Sequence, residues 1–120
     1  MAKNMDDFNT CVALVFQRLY SEFPKETEIV LDELTDSPNE EQGDNYFATI
    51  RFLQREGFLR YHELHFGTFT GVVLTAKGLK ILKTMPNMEQ TLVELIHHAL
   101  DTQDKATIAQ IIQKFINLSS

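Results

Sequence analysis

The stretch YFATIRFLQREGFL, Tyr46 to Leu59, decides the fold. Placed on a helix, Tyr46, Ile50, Leu53 and Gly57 recur at intervals of four, three and four residues, the period of a helix that docks one face on a core. The stripe ends at Gly57, where glycine can take the left-handed conformation that closes a helix. Phe58-Leu59-Arg60-Tyr61 follows at once and is β-prone, so a helix feeds directly into a hairpin.

Working outward, the hairpin is expected from Phe58 to Phe66 and from Phe69 to Leu74, around a tight turn at Gly67-Thr68. Thr75 can cap a helix from Ala76 to about Thr84, with Leu79 and Leu82 inward and Pro86 as its stop. Asn87 is expected to open a further helix (Leu92, Leu95, Ile96, Ala99, Leu100 inward), and Asp101 to Asp104 to separate it from a last one carrying Ile108, Ile111, Ile112, Phe115 and Ile116. Toward the N-terminus, Asp7 or Asn9 can cap a first helix that Pro24 ends near Phe23. Thr27 to Leu34 reads as a short strand, a short helix, or one followed by the other. Ser37-Pro38-Asn39-Glu40 has the form of a helix start, with a serine cap, proline first and glutamate third. Gly43 leaves open whether one helix or two follow, and Asp44 could cap the second. The fold class is α+β, mostly helical, with residues 1–86 as the main domain and 87–120 as a C-terminal helical pair.

One hundred and twenty residues, 43% of them hydrophobic, suffice for a packed core. One cysteine, Cys11, excludes an internal disulfide and is expected as a small buried hydrophobe. No apolar run approaches a membrane span, and the polar start does not resemble a secretory signal, so a cytoplasmic protein with no membrane contact is expected. The net charge of −6 hides a polarised distribution. Glu26 to Asp44 holds eight acids and no lysine or arginine, and the remainder carries nine acids against eleven bases. Arg51 to Lys83 holds six bases and two acids.

Two motifs carry a family resemblance: the spacing Tyr46, Ile50, Leu53, Gly57 leading into Phe58-Leu59, and the run Val72-Val73-Leu74-Thr75-Ala76-Lys77-Gly78-Leu79. From Cys11 to Leu82 the chain resembles the winged-helix domain of bacterial regulators, three helices plus a β-hairpin wing, here followed by additional C-terminal helices. The resemblance implies that Thr27 to Val30 is the first strand, that Asp32-Glu33-Leu34 begins the second helix, and that the protein regulates transcription by binding double-stranded DNA. The recognition helix would present Asp44, Phe47, Ala48 and Arg51 to the groove, with Arg51, Arg55, Arg60, Lys77 and Lys80 as the nucleic-acid contacts. The chain departs from that pattern at Glu40, Glu41 and Asp44, which would repel phosphate where a DNA reader carries bases.

The alternative is an acidic protein-interaction module, of inhibitor, immunity or adaptor type, that keeps the fold without binding DNA. Phe52 lies on the outer side of the central helix beside Arg51 and Arg55, as an interface anchor would, unless the first or last helix covers it. With Glu40, Glu41 and Asp44 it makes up the expected partner-binding set, facing a basic protein. The acidic block is otherwise a solvated connection. The wide apolar faces of the C-terminal helices are expected to pack partly on the domain and partly in a homodimer seam. His62, His65, His97 and His98 lack the spacing of a metal site, and Ser21, Ser37, Ser119 and Ser120 lie in no nucleophile turn. Catalytic, cofactor and metal sites are therefore all expected to be none.

Overall fold

The computed structural model describes residues 3–34 and 39–119. Helix α1 (Lys3–Glu22) is followed by strand β1 (Thr27–Val30) and a 3-10 turn (Leu31–Glu33). Helix α2 (Glu40–Arg55) leads into strands β2 (Leu59–Arg60), β3 (Glu63–His65) and β4 (Thr68–Leu74), and then come α3 (Ala76–Leu82), α4 (Leu92–Thr102) and α5 (Lys105–Leu118). The class is α+β with helix predominating.

Helix α2 is continuous through Gly43, so Asp44 lies inside it and caps nothing. Its N-cap is Asn39, whose side chain accepts a hydrogen bond from the Gln42 amide at 2.8 Å. Glu40 is therefore the first helical residue rather than the third; Ser37 and Pro38, the expected cap and first turn, lie outside the described residues. The stripe is as expected: Tyr46 is 2% exposed and Ile50 and Leu53 are fully buried. Gly57 takes φ +85°, the left-handed conformation that releases the chain into β2.

Helix α1 begins four residues before Asp7, so neither Asp7 nor Asn9 caps it. Asp7 is buried in the helix instead, and its carboxylate accepts from Asn45 Nδ2 at 2.8 Å, tying α1 to α2. Next to it Cys11, Val12, Val15, Phe16 and Leu19 form the buried face. Thr27 to Leu34 resolves as the strand followed by a single 3-10 turn.

β4 is the central strand, with β1 and β2 on either side and β3 also paired to it, all antiparallel. The turn is not Gly67-Thr68 but Phe66-Gly67, with φ of +51° and +80°, closed by the pair His65↔Thr68. Two positive φ angles are the signature of a primed turn, whose twist matches that of the strands. A one-residue slip would flip every side chain, and Phe69, fully buried opposite Leu64, holds the register that makes Phe66 a turn residue. The expected strand from Phe58 to Phe66 is broken at Tyr61-His62, where the partner strand kinks at Gly71 (φ +66°). A Cβ on Gly71 would lie 2.1 Å from the His62 ring.

Thr75 caps α3 by accepting from the Gly78 amide at 3.1 Å. A Cβ at Gly78 would lie 2.0 Å from the Phe58 carbonyl oxygen, so glycine lets α3 cross directly over the chain entering β2. Helix α4 starts at Leu92, not at Asn87. Thr91 and Glu94 form a reciprocal capping box, while Asn87 closes a turn by accepting from the Glu89 and Gln90 amides. Asp104 caps α5. The C-terminal pair packs on α1: Phe115 meets Phe16 and Phe58 edge-on at 5.0 and 4.9 Å, so α4 and α5 share one core with α1, α2 and the sheet.

Candidate functional site

With Tyr46, Ile50 and Leu53 turned inward, α2 offers its remaining faces to solvent along two flanks. On the hairpin flank stand Glu40, Asp44, Phe47 and Arg51. Phe47 tilts against Phe69 at 5.9 Å, and Tyr61 meets Phe69 edge-on at 4.9 Å. Arg51 lies with its guanidinium carbon 5.6 Å from the Phe47 ring centre, a cation–π contact. Toward the start of α2 this flank opens into a groove of about 190 Å³ lined by Leu31, Asp32, Gly43, Asp44, Phe47 and Phe66. Asp32, Glu33, Glu40 and Asp44 form no ion pair among the described residues, and all four are exposed. Phe66 at the hairpin tip is fully exposed on a left-handed backbone. The tip is held level with the end of β1 by the pair Val30↔Thr68 and by the Leu31 amide donating to the Gly67 carbonyl at 3.0 Å.

The second flank faces α1. Phe52 is 40% exposed, and Phe8 of α1 covers one side of it edge-on at 5.7 Å. Around them a groove of about 260 Å³ is lined by Asn4, Met5, Asn45, Ala48 and Thr49. Glu41 stands at one end of this flank, 3.2 Å from Lys3 Nζ, and Arg55 is exposed at the other. The expected partner-binding set is thus divided: Glu40 and Asp44 belong to the hairpin flank, Glu41 and Phe52 to the α1 flank.

The five expected nucleic-acid contacts stand on three elements, Arg51 and Arg55 on α2, Arg60 in β2, and Lys77 and Lys80 on α3. Lys77 donates to the Glu56 carbonyl at 2.8 Å and sits 4.4 Å from the Phe58 ring centre, so its charge rests on the C-terminal end of α2, where helix carbonyls attract cations. Lys80 shares a hollow with it beside Phe58 and Leu118. Arg51 is laid on Phe47, whereas Arg55 and Arg60 are exposed without an acidic partner among the described residues.

A cavity of about 400 Å³ lies between α1, the start of α2 and the C-terminal pair, and includes Asp6, Asp7, Thr10 and Lys105. Its buried acid is already satisfied by Asn45. Cys11 donates from Sγ to the Tyr46 carbonyl at 3.8 Å, and burial, with the Asp7 charge adding, pushes its thiol pKa far above the ordinary range. A thiol so held stays protonated and inert. His62, His65 and His97 each lie beside a carboxylate, Glu26 at 3.1 Å, Glu63 at 3.2 Å and Asp101 at 3.6 Å. Among the described residues no three potential metal ligands cluster, and no helix is long and apolar enough to cross a membrane. The C-terminal residues expected in a dimer seam are largely inside: Ile108, Ile111, Ile112 and Phe115 are buried against the core.

Sequence reasoning missed Phe66 and the Asp7–Asn45 contact. The first was available: requiring Phe69 and Leu64 to share the inward side places the turn at Phe66-Gly67, glycine second, as a primed turn prefers. The second had no local signal, because the two residues are 38 positions apart. Comparison with protein families, curated proteins and solved structures gives no match.

Proposed function

We propose that this chain is a non-enzymatic protein-interaction module that takes a basic partner segment in the acidic groove between the hairpin tip and the start of α2. The observation that carries the reading is Phe66. A large aromatic in the left-handed region costs on the order of 1 kcal/mol, and this one returns no packing to the fold. An aromatic fixed by a two-residue turn has little entropy left to lose on binding, which suits an interface anchor. Asp32 and Asp44 in the same groove set the sign of the partner and would steer its approach. The single, inert cysteine supports placing this activity in a reducing cytoplasm.

The test is fluorescence anisotropy of labelled lysine- and arginine-rich peptides carrying an aromatic or aliphatic residue. Binding should weaken as salt rises, and Phe66→Ala and Asp44→Lys should each reduce it by roughly tenfold. Equal binding of neutral peptides, or unchanged binding by both variants, would sink the proposal.

A second reading keeps the winged-helix resemblance and DNA binding. It is favoured by the sheet order β1-β4-β2, which suits a first strand paired to the second strand of a wing, and by the exposed Arg55 and Arg60, which have no acidic partner among the described residues. Under it, a labelled random duplex binds at low salt, and Arg55→Ala and Arg60→Ala each lessen the salt dependence of binding.

A further inference from the structure

The flank of α2 that faces α1 is complementary to itself. At 100 degrees per residue Glu41, Asn45, Ala48, Phe52 and Arg55 fall within about 80 degrees of one another, a narrow stripe at heptad spacing. Its ends carry opposite charges: Glu41 is in the first turn of the helix and Arg55 in the last. Its middle is apolar and open, with Phe52 40% and Met5 48% exposed and Phe8 and Ala48 lining the same groove. Ala48 lies seven residues from each charge. Reversing the helix about Ala48 therefore sets Glu41 opposite Arg55, Arg55 opposite Glu41 and Phe52 next to Asn45, the stripe residue nearest its mirror position.

From this the geometry points to a second copy of the chain as the occupant: a two-fold homodimer in which the α2 helices pack antiparallel across Ala48. An isologous interface must match its own reversed image, and this stripe does. The small side chain at the axis permits the helix separation of about 8–10 Å at which such pairs pack. Phe52 of each subunit enters the partner's groove beside Met5 and Asn45, removing both large exposed apolar side chains from water. Glu41, already 3.2 Å from Lys3, becomes the shared acceptor for Lys3 and for the partner's Arg55, and this happens twice. A basic or acidic foreign helix would satisfy only one end. The inference does not depend on the acidic groove, because Asp44 and Phe66 lie on the other flank and stay open in the dimer.

Sedimentation equilibrium of the full chain over micromolar to several hundred micromolar concentrations tests it. The parent is expected to approach twice the 13.8 kDa chain mass. Ala48→Glu, at an exposed position, places two like charges on the axis and should weaken dimerisation by at least about tenfold, as should Phe52→Glu, with the far-ultraviolet circular dichroism unchanged. Glu41→Arg and Arg55→Glu should each weaken it by roughly threefold or more, and the double variant should recover the parent value. Within one chain the two residues are about 21 Å apart along the helix, too far to compensate each other, so recovery reports a contact between subunits. A parent that stays monomeric, a dimer indifferent to Ala48→Glu but broken by Leu118→Glu in α5, or a double variant no better than the singles would overturn the inference.

Discussion

Along α2 the flank beside the hairpin carries Glu40, Asp44, Phe47 and Arg51, whereas the flank beside α1 carries Glu41, Ala48, Phe52 and Arg55. Each begins with a glutamate and carries a phenylalanine and an arginine, with Asp44 on one matched by the small Ala48 on the other, and their surroundings make them different surfaces. On the hairpin flank Arg51 is laid on Phe47 and Phe47 on Phe69, so base and aromatic are held by the fold, and the acids are left beside an exposed Phe66. On the α1 flank the aromatic keeps 40% of its surface exposed and the charges stand at opposite ends. The lesson is that an arginine or phenylalanine on an outer face gains its role from what the neighbouring element leaves uncovered.

The largest expected effect removes what both flanks rest on. Leu53→Ala empties a fully buried site between them and should cost about 2–5 kcal/mol, read as a lower urea midpoint. A cost below about 1 kcal/mol would mean that the stripe is not the support for either surface. Next, Asn45→Ala strips the buried Asp7 carboxylate of its partner and should cost about 1–3 kcal/mol, while Asp44→Ala, one residue away on the other flank, should stay within about 0.5 kcal/mol. Similar values for the two would erase the distinction drawn between the flanks.

Smaller still, and opposite in sign, Phe66→Asn replaces a strained aromatic by the residue that a primed turn prefers before glycine. It should raise stability by up to about 1 kcal/mol while reducing binding of basic peptides. A loss of stability would show that Phe66 packs on something after all, and that the hairpin flank is not free. The smallest effect lies away from both flanks. Hydrogen bonds from the Thr91 amide and hydroxyl hold the Glu94 carboxyl below its ordinary pKa. A depressed carboxylate contributes stability that is present above its unfolded-state pKa and lost as pH falls through the lower folded-state value. The amides of the first turn of α4 should therefore lose protection, measured against their intrinsic exchange rates at each pH, on acidification through and below the carboxylate range, whereas Glu94→Gln should flatten that dependence.

Legibility differed in kind across the chain. The α2 stripe, the Gly57 exit, the Thr75 cap and the buried apolar face of α5 were readable because periodicity and cap chemistry are local. The start of α4 was readable too, since Thr91-Leu92-Val93-Glu94 has the capping-box spacing, but Asn87 offered a competing polar start that serves only a turn. The cap expected at Asp7 failed because the residue satisfies its carboxylate across to Asn45 rather than on its own helix. The turn shifted by one residue because Phe69, buried among Phe47 and Tyr61, holds the register against the local preference for glycine first.

By itself the sequence determined the class of the fold, the inward side of α2 and the separation of acidic from basic segments, since each follows from spacing and composition along a single element. Only the tertiary structure decided which outward residues act together. It set Lys77 on the end of α2, laid Phe47 against Phe69 while leaving Phe52 partly open beside Phe8, and lifted Phe66 into solvent beside Asp32 and Asp44. The reason is that exposure is what remains after every other element has packed, and no local pattern records where a residue 38 positions away will come to lie.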